Sequence, residues 1–263
     1  SFQKDGRVHG RVITNGAVTG RMTHHSPNMA QVPSVSAPYG KECRSFWCVP
    51  EHYKLVGIDA SGLELRMLAH YMRDDNYTNE ILSGDIHTAN MKAAGLDSRP
   101  QAKTFIYAFL YGAGAAKIGQ IVGGGYKEGE KLINSFLRNT PALDNLKKRV
   151  ANFASSGTLP SLDGRRLRVR SEHAALNSLL QGAGAVVMKQ ALVLLIQALD
   201  TYRIPYKLVA NVHDEFQIEV PEFFAHTVGK AAVKAIRDAG DVLELRCPLD
   251  GEYNVGNNWA ETH

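Results

Sequence analysis

The chain has few cysteines, few tryptophans and no long uninterrupted apolar run. Three cysteines (Cys43, Cys48 and Cys247) are too sparse for a disulfide framework and fit free thiols in a reducing, cytoplasmic setting. Cys43 and Cys48 lack a second Cys/His pair to complete a zinc set. The most apolar stretch, Ala183 to Leu199, is broken by Lys189, Gln190 and Gln197. It therefore reads as a buried helix rather than a membrane span. Ser1 to Arg11 shows no apolar signal segment and no initiator Met, which fits processing or a fragment. No repeat, low-complexity tract or linker rich in Pro, Ser or charge is present. What remains is an ordinary globular composition, 44% hydrophobic and 21% charged, which argues against disorder and coiled coil. At 263 residues it makes one large domain or two modest ones.

Net charge is +4, and its distribution is uneven. Residues 1–58 hold seven basic and three acidic residues, while the remainder is neutral. A basic, Gly- and Asn-rich opening fits an anionic partner such as nucleic acid, and equally a solvated surface.

Residues 1–50, punctuated by Gly and Pro, read as loops and short strands. Lys54–Asp59 is an apolar run ending on a carboxylate, hence a buried strand, and Leu63–Met72 reads as a helix. Residues 73–157 read as helical. Ser98-Arg99-Pro100 marks a helix start, because Ser caps and Pro is tolerated in the first turn. That helix is expected to end at Gly112 or Gly114. Gly123-Gly124-Gly125 is a break, not a P-loop, because Glu130 follows Gly129 where Lys is required. Leu162 to Arg170 predicts a strand with Arg166, Arg168 and Arg170 on one face. A long apolar helix is predicted from His173 to Leu199. Lys207–Val220 follows as two strands with His213-Asp214-Glu215 at the bend, and a last helix from Pro221 to Ala239.

Asp59 and Asp214-Glu215 are carboxylates beside apolar strands. They read either as surface turns or as ligands for magnesium, which takes carboxylates plus substrate phosphates. Two such carboxylates can hold two ions about 3.5–4 Å apart for an in-line phosphoryl displacement. Arg99, Lys103, Tyr107 and Tyr111 are spaced by four, so all lie within about 120° of a helix surface. Phe105 and Phe109 point the opposite way. The polar face suits a triphosphate and a nucleoside, or else is a solvated face with snorkelling cations. His173, Asn177 and Gln181 form a third stripe. Its amides could probe minor-groove acceptors or bond neighbouring backbone.

Five motifs in order resemble those of the family A DNA polymerases, the DNA polymerase I family. Asp59-Ala-Ser-Gly-Leu-Glu-Leu-Arg66 resembles motif A, Arg99 to Gly112 motif B, and Val212-His-Asp-Glu215 motif C. Thr19–Thr23 with Pro27–Val32 and Pro33 resembles the opening of the palm. Leu162-Asp-Gly-Arg-Arg166 with Leu180-Gln181 resembles the remaining palm segment. The likeness runs from about Asp5 to Asn258-Trp259 and is strongest to the phage replicative branch.

The resemblance implies an α+β fold: a polymerase palm, an antiparallel sheet with packed helices, carrying an inserted helical fingers subdomain. Residues 1–70 and 158–263 would be palm and 71–157 fingers, with thumb and exonuclease domains absent. It implies template-directed addition of dNTPs to a primer 3′-hydroxyl with two Mg2+ ions. Asp59, Asp214 and the carbonyl of Ala60 would be metal ligands, and Glu215 the neighbouring catalytic acid outside the first shell. Arg99, Lys103 and His87 would contact the triphosphate, Tyr107 the sugar, and Tyr111 the templating base. Glu64 would exclude a ribose 2′-hydroxyl. Arg21, Gln181 and Asn177 would touch the minor groove, and His213 a primer phosphate. His173 departs from the arginine that many members carry. The expected partners are primer-template DNA and dNTPs, with a separate thumb/exonuclease chain or processivity factor, and no membrane. The expected location is the cytoplasm, that of the host if the gene is phage-borne. A catalytically dead DNA-binding remnant is opposed by intact Asp59, Lys103 and Asp214. A single-subunit RNA polymerase is opposed by Glu64. Primer extension, and incorporation of dNTP against rNTP, separate these readings.

Overall fold

A computed structural model describes residues 3–169 and 171–263. In chain order the elements are β1 (Arg11–Ile13), β2 (Thr23–His25), α1 (Gly40–Ser45), β3 (Tyr53–Ala60), α2 (Leu63–Met72), α3 (Asp75–Leu82), α4 (Ile86–Ala94) and α5 (Arg99–Leu110). Then come α6 (Ala115–Ile121), α7 (Tyr126–Asn139), α8 (Pro141–Ala154), β4 (Thr158–Pro160), β5 (Arg166–Arg168), α9 (Ala175–Thr201), β6 (Lys207–Val212), β7 (Glu215–Pro221), α10 (Ala225–Val242) and β8 (Gly251–Gly256). Two compact units result: Ser1–Leu63 with Gly184–His263, and Glu64–Ala183.

The first unit is built on a four-stranded antiparallel sheet of order β6-β7-β3-β8. Leu55, Val56 and Ile58 of β3 are buried, as a run of apolar residues in a central strand requires. α10 packs on β3 and β8. Gly57 sits where backbones approach closely: a Cβ there would collide with the Thr262 carbonyl oxygen and the Gln217 side chain. The β6–β7 connection is a two-residue turn, because Val212 pairs directly with Glu215. His213 in that turn takes the left-handed conformation, φ 57°.

The second unit is helical with one small hairpin, β4–β5. Its core includes Phe105, Phe109 and Phe136, whose ring centroids lie 5.0–5.9 Å apart, two of the pairs edge to face. Such pairs add about 0.5–1.5 kcal/mol each beyond area burial. Gly119 and Gly129 let α6 and α7 touch through backbone, and a Cβ on either would strike the other segment's backbone. Ser98 caps α5 by accepting from the Gln101 N–H, and Pro100 lies in the first turn, as its sequence predicts.

Several expectations are corrected. The Leu162–Arg170 strand shrinks to the three residues of β5; Arg170 lies outside the described residues. Leu167 is buried between exposed Arg166 and Arg168, so the alternation holds where it is described. α9 begins at Ala175, because Ser171 caps a short 3-10 turn over Glu172–Ala174. His173 is therefore exposed on that turn and does not share a helix face with Asn177 and Gln181. The last helix starts at Ala225 after another 3-10 turn and continues to Val242. α1 and β8 were not predicted. β8 is a polar edge strand, with Glu252 and Asn254 exposed and no apolar run to announce it. By length and composition α9 could cross a membrane, but 61% of its most apolar window is buried inside the chain, as in a core helix.

Candidate functional site

In the first unit, the antiparallel register brings the carboxylates of motifs A and C to one end of the sheet. Asp59 is the penultimate residue of β3, directly opposite Glu215 on β7 and Glu252 on β8. The Ala60 N–H donates to the Asp214 carbonyl (3.1 Å), which ties the β6–β7 turn to the end of β3. Desolvation by the surrounding chain and the charges of Asp214 and Glu215 push the carboxyl of Asp59, a surface residue, up to about 7, and His263 opposes them. Among the described residues the ion pairs at this end go from His263 to Glu215 and from Arg237 to Asp250, not to Asp59 or Asp214. Two neighbouring carboxylates short of positive charge are a fit donor set for a hard divalent cation. Among the described residues no trio of His, Cys, Asp and Glu forms a self-sufficient metal cage. The donor set therefore suits an ion completed by water and substrate phosphates.

Glu215 is held differently. It is 4% exposed. One carboxylate oxygen accepts from Gln217 Nε2 (2.6 Å) and Trp259 Nε1, and the other pairs with His263 Nδ1 (2.7 Å). Burial alone would raise its pKa, but these hydrogen bonds outweigh burial and hold it below the ordinary glutamate range. Both oxygens are thus engaged by protein groups. Arg44, itself buried, stacks over Trp259 with its guanidinium carbon 4.3 Å from the ring centroid. Gln217, His263 and Arg44 carry no sequence signal of this network. Trp259 marked only the end of the motif series.

Arg21 and His213 line one small cleft with Met22, Ala185, Met188, Lys189 and Asn211. Partial desolvation and the Arg21 charge hold the His213 imidazole below its ordinary pKa. Lys189, which reads in the sequence only as a break in an apolar helix, donates to the Thr14 carbonyl (2.7 Å) and to Asn15.

In the second unit, α5 presents Arg99 and Lys103 to solvent, Tyr107 is half-buried, and Tyr111 caps the helix end. Phe105 and Phe109 are buried on the opposite side. His87, in the first turn of α4, sits with its ring centroid 6.3 Å from that of Tyr107. Burial and the charges of Arg99 and Lys103 lower its pKa, so a neutral imidazole shares one neighbourhood with these two cations. The Tyr111 hydroxyl donates to the Glu64 carboxylate, 2.8 and 3.0 Å from its two oxygens. Asn177 and Gln181 are half-buried on α9.

These motifs and this architecture agree with known proteins. A family model described as DNA polymerase family A matches residues 1–261. The DNA-directed DNA polymerases of Enterobacteria phage T3 and Escherichia phage T7 are each 44% identical over 99% of this chain, and the chain covers 42% of each. A thermostable DNA polymerase I of Thermus filiformis is 33% identical over 98% of the chain, which covers 33% of it. The chain therefore spans about two fifths or less of these relatives' length. The POL domain of Pol1 from M. smegmatis, in complex with DNA primer-template and dNTP, shares the fold at a TM-score of 0.89. It is 24% identical, and the match covers all of this chain and half of that one. With the family model spanning nearly its whole length, the chain belongs to DNA polymerase family A.

Proposed function

We propose that these residues form a polymerase module that adds deoxynucleotides to a primer 3′-hydroxyl under direction of a template, in DNA replication. The observation that carries this reading is the nearness of Asp59, at the end of β3, to Asp214 in the turn tied to that end, the two short of positive charge, in a family A chain. The antiparallel-sheet unit is read as palm and the inserted helical segment around 71–157 as fingers.

Asp59, Asp214 and the Ala60 carbonyl would hold two magnesium ions. When bound, such ions supply Lewis-acid stabilisation of the phosphoryl oxygens and ease deprotonation of the 3′-hydroxyl. Glu215, locked by Trp259, Gln217 and His263, acts by fixing the start of β7, next to the turn that carries Asp214. Arg99, Lys103 and His87 bind the triphosphate, and the charges of Arg99 and Lys103 stabilise the departing pyrophosphate. The primer oxygen bonds to the α-phosphorus as the bond to the bridging oxygen breaks, with no covalent enzyme intermediate. Tyr107 lies against the incoming sugar and Glu64 occupies the space of a ribose 2′-hydroxyl. Tyr111 stacks near the templating base. Arg21, Asn177 and Gln181 donate to minor-groove acceptors, which every base pair offers, so they check geometry and not sequence. His213 contacts a primer phosphate. Only three acids precede Asp59, so no proofreading site is assigned to these residues.

The test is extension of a labelled primer-template with magnesium and dNTPs, with Asp214→Asn as the control. Loss of extension only in the variant supports the reading. Extension that survives the substitution, or none by the parent chain, counts against it.

A further inference from the structure

Asp85, in the segment Gly84-Asp-Ile-His87, has no role assigned from the sequence, yet it meets two of the residues assigned to the triphosphate. It is the N-cap of α4. Its Oδ1 accepts from the backbone N–H of His87 (3.1 Å) and of Thr88 (3.3 Å). Its Oδ2 accepts from the Thr88 hydroxyl (2.8 Å) and from Arg99 Nε (2.7 Å). One carboxylate thus receives four donors from two helices. Asp85 pins the turn that carries His87 and, with its other oxygen, the first residue of α5.

A purely structural account explains this poorly. The Arg99 and Asp85 side chains are 55% and 41% exposed, and an exposed ion pair contributes little to stability. The bond to Nε is also selective. It leaves both terminal nitrogens of the guanidinium, which among the described residues have no protein acceptor. Those are the two donors that grip a phosphate in bidentate fashion. An arginine held by Nε has lost much of its rotamer freedom before the anion arrives, so less entropy is lost on binding. The hydrogen bonds from Arg99 and Thr88 keep the Asp85 carboxyl strongly ionised, so the anchor stays charged at neutral pH.

We propose that Asp85 is the positioning residue of the triphosphate grip: it holds Arg99 by Nε so that the terminal nitrogens meet the phosphates beside His87. The inference rests on the reading of α5 as the nucleotide face.

It is tested by a double-mutant cycle on dATP affinity. The full chain is mixed with magnesium and a dideoxy-terminated primer-template presenting dT, and retained dATP is measured by equilibrium dialysis. Asp85→Asn keeps the helix cap, because Asn caps as well as Asp, so its fold is preserved and its melting temperature should match the parent's. It should weaken dATP roughly fivefold by loosening a charged hydrogen bond. Arg99→Ala should weaken dATP more. Adding Asp85→Asn to Arg99→Ala should change affinity by less than about twofold, because the residue acts through Arg99. An unchanged affinity in Asp85→Asn, or an equal loss with and without Arg99, overturns the role of Asp85 alone. Unchanged affinity in Arg99→Ala overturns it together with the triphosphate assignment of α5. No dATP retained by the parent overturns the polymerase reading as well.

Discussion

The Tyr111 hydroxyl donates to the carboxylate of Glu64, across 47 residues of chain, at 2.8 and 3.0 Å. This joins the end of α5 to the start of α2 within one unit. The residue read as filling the ribose 2′-hydroxyl space is thereby held by the residue read as stacking on the template. Tyr111→Phe should remove this hydrogen bond from Glu64 and raise rNTP incorporation relative to dNTP, and Glu64→Ala should raise it further. A hydrogen bond to a charged group contributes about 1.5–3 kcal/mol, so a relaxation of roughly tenfold is expected for Tyr111→Phe. Single-nucleotide incorporation with dCTP and CTP measures the ratio. A ratio unaffected by either change would remove the sugar-discrimination role.

Asp59→Asn and Asp214→Asn should each cut extension at least a thousandfold, roughly 4 kcal/mol of transition-state stabilisation. Primer-template binding, measured by filter retention, should largely survive. Each substitution removes one charge from the pair that repels itself at the sheet end, so the fold should not suffer. Extension within tenfold of the parent would rule out the metal assignment.

Glu219, 1% exposed, is gripped by both terminal nitrogens of Arg7 (2.8 and 2.9 Å) and by Lys207 (3.2 Å). Burial would raise its pKa, but the hydrogen bonds from Arg7 and Lys207 outweigh burial and hold it below the ordinary value of 4.5. A depressed pKa stabilises the fold above the unfolded value, and that stabilisation fades as pH falls through the folded value. Arg7→Met should therefore cost about 2 kcal/mol at neutral pH, because a buried carboxylate loses its main partner. The gap from the parent should narrow below about pH 4 as the carboxyl takes a proton. Urea midpoints at both pH values check this, and an equal gap at each would refute it.

Gly57→Ala should destabilise the first unit by about 1–3 kcal/mol, since the new methyl meets the Thr262 backbone and the Gln217 side chain. Thr262 and Gln217 are hydrogen-bonded to each other (2.8 Å), so neither gives way cheaply. A urea midpoint equal to the parent's would show that the terminal segment shifts freely.

Local repetition made α5 legible. The four-residue spacing of Arg99, Lys103, Tyr107 and Tyr111 and the cap at Ser98 act within one or two turns, and the helix follows them. The β6–β7 hairpin and the apolar β3 were readable for the same reason, because strand alternation and turn chemistry are short-range. The ordered motifs carried the family. Relations between distant residues left no such mark. β8 becomes a strand only because β3 offers it an edge, and its own polar alternation is indistinguishable from a loop. Glu215 reads from sequence as the acid neighbouring Asp214, outside the metal's first shell. Trp259 and His263, more than forty residues on, bury and saturate it. Asp85 has no assigned role in the sequence, and the packing of α4 on α5 makes it the partner of Arg99. Backbone periodicity settles which face a residue occupies. Which donors meet it there depends on elements brought together only when the chain folds.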